Sequence, residues 1–145
     1  MMRNRGVAII VQDGKIALIK RVRDDEVYYV FPGGGIEEGE TSEEATKREI
    51  YEELGVHIEV KHLITKIKYK GTEYYYEAYI TDGVFGSGKG EEFKQKDRGC
   101  YIPLWIPINE LKNVNIKPYE VVESIFDYYK MQGLTTYKKT IDIAC

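Results

Sequence analysis

Cysteine is scarce in this sequence: Cys100 and Cys145 are the only two. Neither stands in a C-x-x-C or His-rich spacing, which argues against a structural zinc site and an obligatory disulfide. Long apolar runs are missing as well. The stretch Val7 to Val11 is cut off by Gln12, Asp13 and Gly14, too short for a signal-peptide core or a membrane span, so the chain reads as a cytoplasmic protein without a membrane partner. Nor is there an excess of positive charge. With 21 Lys and Arg against 24 Asp and Glu, a formal net charge of -3 and a pI near 5.5, nothing electrostatic favours a nucleic-acid polymer. A small nucleotide remains a fitting partner.

What is present is the material of an ordinary globular domain. Hydrophobic residues make up 43%, charged residues 31% and aromatics 12% of 145 residues, which places the chain far from disordered or fibrous compositions and at about the length of one domain. A single domain over residues 1–145 is expected. Val7 to Val11 and Ile16 to Ile19 are β-branched runs joined by Asp13-Gly14, a hairpin signature. Val27 to Phe31 is a further strand, ended by Pro32 and three glycines. Strands are also predicted over Val56 to Val60, Leu63 to Tyr69, Glu73 to Thr81 and Tyr101 to Ile106. The glycine-rich segment Phe85 to Gly99 reads as a loop and Asn109 to Leu111 as a helical turn. Tyr119 to Met131, with apolar Val121, Val122, Ile125, Phe126 and Tyr129, reads as an amphipathic helix. No repeat or linker interrupts these elements, and their order suggests an α/β layered domain around a mixed sheet.

Residues 41 to 54 carry the chemistry. Thr41 with Glu44 forms a capping-box signature and Gly55 supplies a stop. At about 100° per residue, Thr46, Ile50 and Leu54 line one stripe, while Glu49, Glu52 and Glu53 share an adjacent arc about 100° wide. Ala45 sits among those acids, where its methyl is expected to leave a hollow. Like charges at such spacings repel, and Arg48 neutralises only one of them. Hard divalent cations, above all magnesium, suit a carboxylate cluster of this kind. The glycines at 33 to 35 permit close backbone approach and can turn carbonyls or amides toward a metal or a phosphate. Loop and helix together suggest a platform for metal-bound pyrophosphate. An acidic helix is in general a solvated face, but here the complete spacing decides otherwise.

Gly34, five intervening residues, Glu40, seven more, then Arg48-Glu49-Ile50-Tyr51-Glu52-Glu53-Leu54-Gly55-Val56 resembles the signature of the Nudix hydrolase family at every specified position. The resemblance is sharpest over residues 33–56, about a sixth of the chain. It implies a Nudix-type α/β/α sandwich around a mixed β-sheet, and hydrolysis of nucleoside diphosphates linked to another moiety with Mg2+ or Mn2+. It further implies that Glu52 and Glu53 ligate metal, that Glu49 is a metal ligand or the general base, and that the carbonyl of Gly33 is an additional ligand. Glu40 and Arg48 look like supporting residues, Arg48 fixing carboxylate orientation, and Gly34 offers backbone to the substrate.

Outside the motif, Lys20, Arg21 and Arg23 follow a strand expected near the glycine loop and are candidates for holding a substrate phosphate, with ordinary surface charge as the alternative. Glu91 and Glu92 are candidates for one more acidic ligand or base, again against surface charge. Phe31, Tyr69, Tyr74, Tyr75, Tyr76 and Trp105 include candidates for base stacking, though most suit core or sheet surface better. His57 and His62 read as structural. Relatives acting on ADP-ribose or NADH usually carry proline-containing signatures after the motif, yet no proline occurs between Pro32 and Pro103. Val27-Tyr28-Tyr29-Val30 does not resemble the extended motif of the coenzyme A relatives. Tyr74 to Tyr76 offers the tyrosine of dinucleoside polyphosphate hydrolases, a cue that a Tyr-rich strand matches easily. Mutator-type oxidised-dNTP hydrolases are similar in size and layout, but Lys117-Pro118-Tyr119-Glu120 gives no clear match to their purine-reading residue. A nucleoside triphosphate or dinucleoside polyphosphate is therefore the expected substrate. The alternatives are a Nudix-fold module that binds a nucleotide or nucleotide-sugar without cleaving it, and an interaction domain for RNA or protein. The first is disfavoured because no motif acid is replaced, the second by the acidic pI. Homodimers are common among relatives, but nothing in the chain establishes one here.

Overall fold

The computed structural model describes residues 3–88 and 100–131. The hairpin is there: β1 (Arg5–Gln12) turns into β2 (Lys15–Arg23) through Asp13 and Gly14, whose φ values of 54° and 75° are the left-handed pair that a two-residue turn requires. A second hairpin leads to β3 (Glu26–Val30). After it come β4 (Gly33–Gly35), α1 (Ser42–Leu54), β5 (Val56–Lys68), β6 (Thr72–Gly83), β7 (Cys100–Pro107), a 3-10 helix (Ile108–Asn113), β8 (Ile116–Lys117) and α2 (Glu120–Met131).

The strands form one mixed sheet in the order β5-β6-β1-β2-β3-β8, with β4 on β1 and β7 on β2. The β1–β6 and β3–β8 pairs are parallel and the other pairs antiparallel. Alternation along the central strands builds two cores, because successive side chains point to opposite faces. Val7, Ile9, Ile16 and Leu18 meet Val121, Val122, Ile125 and Tyr129 of α2 on one face. Ala8, Ile10, Ala17 and Ile19 meet Ile50 and Leu54 of α1 on the other. Each fully buried aliphatic side chain contributes on the order of 1.5–3 kcal/mol, so the two helices are held on opposite faces. The result is the α/β/α sandwich.

Two expectations change. Residues 56 to 68 form one strand rather than two, with register shifts at Val60/Leu63 and Leu63/Thr65 where a break is expected. The three glycines form a short strand rather than a loop, pairing Gly33 with Val7, Gly34 with Gly6 and Gly35 with Arg5. A Cβ on Gly33 would lie 2.3 Å from the Gly6 carbonyl oxygen and 2.7 Å from Val7 Cα. Both neighbours are backbone and cannot step aside. Gly33→Ala is expected to destabilise the fold by about 2–3 kcal/mol, read as a fall in Tm of roughly 5–10 °C.

Candidate active site

The helix that carries the motif is fixed at both ends. Thr41 Oγ1 accepts from the Glu44 N–H at 3.0 Å and Glu44 Oε1 from the Thr41 N–H at 2.9 Å, both halves of the capping box. Gly55 closes the helix with φ 78°. The inner stripe packs tightly: a Cβ on Gly6 would lie 2.3 Å from Thr46 Oγ1 and 2.7 Å from the Ser42 carbonyl oxygen. Since Gly6 pairs with Gly34, this close seating on β1 also presses the acidic flank of α1 against β4. Ala45 is fully buried, so no open hollow lies at its methyl.

Two motif acids converge on the glycine strand. The Gly33 N–H donates to Glu53 Oε1 at 2.9 Å, and Glu53 is only 3% exposed. Glu49 lies directly over Gly34, where a Cβ would come within 2.3 Å of its carboxyl carbon. Arg48 ties the remaining acids together. Its Nε and Nη2 donate to the two oxygens of Glu40 at 2.7 and 2.9 Å, a bidentate pair. Nη2 also donates to the Gly35 carbonyl at 2.9 Å, while Nη1 donates to Glu49 at 3.0 Å and to Glu52 at 3.4 Å. The hydrogen bond to Glu40 raises the Arg48 guanidinium further above its already high range.

Glu40 is correspondingly held down. Hydrogen bonding from Arg48, with a second bond from the Glu37 N–H, lowers its carboxyl from 4.5 to about 2. A depressed folded value means that its contribution to stability is complete above about pH 4.5 and is lost as the pH falls toward 2. Denaturant titrations at pH 7 and pH 2.5 should therefore show a larger drop for the wild type than for Glu40→Gln.

Among the described residues, no three His, Cys, Asp or Glu side chains are grouped so as to hold one metal ion; Arg48 draws Glu49 and Glu52 toward itself instead. The donor set nevertheless fits a hard divalent cation. Glu49, Glu52, Glu53 and the Gly33 carbonyl are all oxygen donors. The lack of a Cβ on Gly34 is what lets the Glu49 carboxylate lie against the glycine strand. Glu52 is half-exposed, leaving it able to turn toward an ion.

The other candidates scatter. Arg21 faces the α1 side of β2 with its guanidinium 4.4 Å over the Tyr101 ring, whereas Lys20 points to the opposite face. Arg23 is exposed at the hairpin end, paired across the strands with Glu26. Phe31 requires correction as a substrate contact: it is 3% exposed and packs edge-on to Tyr75 in the α2-side core, so it has no face to offer a base. Tyr75 is buried with it. Trp105 packs on Phe85 beside the α1-side core, and Tyr76 bonds Ser42. Lys66 lies over the Tyr74 ring, and Tyr69 is exposed. His57 stacks on Tyr51, and His62 meets Glu77 and Tyr128. Glu91 and Glu92 lie outside the described residues.

Two residues that the sequence reading missed touch this machinery. Arg5 Nη2 donates to the Gly33 carbonyl at 3.4 Å, and the Tyr101 hydroxyl donates to Glu53 Oε2 at 3.2 Å. Only strand register brings them in, Arg5 through β1–β4 and Tyr101 through β2–β7.

A mixed sheet between two helices, with a glycine strand against an acidic, arginine-braced helix, defines a Nudix-type domain. The chain belongs to the NUDIX domain family, whose model matches residues 2–125. A stretch of 65 residues is 37% identical to the RNA pyrophosphohydrolase of Shewanella baltica (strain OS155), covering 45% of this chain and 36% of that protein. Another of 64 residues is 44% identical to the nucleoside triphosphatase NudI of Enterobacter sp. (strain 638), covering 41% of this chain and 45% of that one. The matches thus span less than half the length of these curated relatives. The crystal structure of a MutT Nudix hydrolase from Burkholderia pseudomallei superposes with a TM-score of 0.65 at 25% identity, over 84% of this chain and 95% of that one. A Nudix hydrolase from Nitrosomonas europaea shares the fold with a TM-score of 0.72 at 21% identity, over 90% of each chain.

Proposed function

We propose that this protein hydrolyses a phosphoric anhydride bond of a nucleoside diphosphate derivative, a nucleoside triphosphate or dinucleoside polyphosphate, in the cytoplasm. The observation that carries this reading is the convergence of Glu49 and Glu53 on the backbone of Gly34 and Gly33. Glu49, Glu52, Glu53 and the Gly33 carbonyl would hold Mg2+ or Mn2+. Such an ion supplies positive charge to phosphate oxygens and lowers the pKa of a bound water. Arg48 keeps the carboxylates oriented, and its bonds to Glu40 and the Gly35 carbonyl keep it in place. Glu49 would serve either as one of those ligands or as the base that takes a proton from the attacking water.

A pocket of about 380 Å3 between Arg5, Val30, Tyr69, Glu73, Lys117 and Glu120 supports a nucleoside as the recognised part. Its size suits a small ligand. Tyr69 is an exposed ring there, and Arg5 spans from the pocket to Gly33. The net charge of -3 favours a small nucleotide over an RNA chain.

A panel of dNTPs, oxidised dNTPs, dinucleoside polyphosphates, ADP-ribose, nucleotide sugars and 5′-triphosphorylated RNA, assayed with each metal, tests the reading. Cleavage of a triphosphate or dinucleoside polyphosphate is expected. Tight binding without turnover would replace it with the binding module, and preferential cleavage of RNA would overturn the small-molecule assignment.

A further inference from the structure

Glu53 is nearly enclosed, and a buried carboxylate keeps its charge and direction through the donors aimed at it. Among the described residues, two donors from different strands reach it. The Gly33 N–H of β4 meets Oε1 at 2.9 Å and the Tyr101 hydroxyl of β7 meets Oε2 at 3.2 Å. The tyrosine is itself held. Register sets Arg21 opposite Tyr101 on one side and Tyr28 on the other. Its guanidinium lies 4.4 Å from the centre of the Tyr101 ring and 5.9 Å from that of Tyr28, within the range of a cation over an aromatic face. A row across three strands thus ends on the most buried acid of the motif.

We propose that Tyr101 is a positioning residue for Glu53, with Arg21 holding the Tyr101 ring so that its hydroxyl stays aimed at the carboxylate. This rests on the reading of Glu53 as a metal ligand given above. An outer partner of a metal ligand fixes the ligand's orientation, and its loss typically weakens metal affinity or activity about 10–100-fold. The row also gives Arg21 a role that needs no substrate phosphate. β7, outside the motif, thereby becomes part of the metal site.

The test is Mn2+ binding to the substrate-free protein, followed by electron paramagnetic resonance, for wild type, Tyr101→Phe and Arg21→Lys. Tyr101→Phe keeps the ring and its contact with Arg21 and removes only the hydroxyl. Arg21→Lys keeps the charge and gives up the flat guanidinium. The expected result is a Kd for Mn2+ raised about tenfold in Tyr101→Phe and about threefold in Arg21→Lys, with the nucleotide KM at saturating metal within about twofold of wild type. Thermal unfolding without metal checks that both variants are folded. Mn2+ binding by Tyr101→Phe indistinguishable from wild type overturns the proposal while leaving the metal site standing. A raised nucleotide KM with unchanged Mn2+ affinity also overturns it and makes Tyr101 a substrate contact. Failure of the wild type to bind Mn2+ would overturn both this inference and the metal-site reading on which it rests.

Discussion

Glu53→Gln is expected to fold and to lose at least about a thousandfold in kcat. Folding is expected to survive because the amide can reproduce the bonds to Gly33 and Tyr101. Its oxygen accepts the Gly33 N–H in place of Oε1, and its NH2 donates to the Tyr101 hydroxyl oxygen, since a hydroxyl accepts as readily as it donates. Removal of the negative charge is what the reaction would feel. A metal's electrostatic contribution to a transition state is worth several kcal/mol, and each 1.4 kcal/mol or so is a factor of ten in rate. The measurement pairs steady-state turnover with thermal unfolding. A Tm within about 3 °C of wild type together with the rate loss supports the assignment, whereas a large fall in Tm with activity retained would make Glu53 a structural residue.

Arg48→Ala should destabilise the fold about as much as Gly33→Ala. The guanidinium serves Glu40, Glu49, Glu52 and the Gly35 carbonyl at once, and Glu40 and Glu49 are only 20% and 12% exposed. Removing one partner of a buried pair costs about 3–5 kcal/mol. Arg48 is 26% exposed, so solvent screening reduces this to roughly 2–3 kcal/mol. Arg48→Lys should recover little, because an ammonium cannot make the bidentate pair to Glu40. If the acids hold a divalent ion, millimolar Mg2+ should raise the Tm of Arg48→Ala more than that of wild type, since the ion then relieves repulsion that Arg48 no longer relieves. Calorimetry of both proteins with and without Mg2+ checks this, and equal shifts would argue against a shared carboxylate site.

The motif helix was legible because its signals are local. Thr41, Glu44 and Gly55 act within one turn of themselves, and Thr46, Ile50 and Leu54 show the buried stripe by spacing alone. Asp13-Gly14 announced its hairpin for the same reason. The glycine strand was not legible, since glycine has poor strand propensity and β4 exists because β1 pairs with it and α1 presses on it. The two-residue β8 is likewise a product of its parallel pairing with β3. At the site, spacing within α1 singled out the acids. It could not place Arg5 or Tyr101, whose approach depends on register between strands far apart in sequence. Phe31 fails as a stacking candidate for a related reason: whether an aromatic ring has a free face depends on packing, and here it turns inward against Tyr75.

The most direct test of the central claim is to incubate the purified wild-type protein with a deoxynucleoside triphosphate after chelator treatment, then add Mg2+ back and separate the products. Chelated protein should give no cleavage, and adding Mg2+ should restore cleavage of the anhydride in the wild type but not in Glu53→Gln. Cleavage that ignores the chelator, or that persists in Glu53→Gln, would contradict that claim.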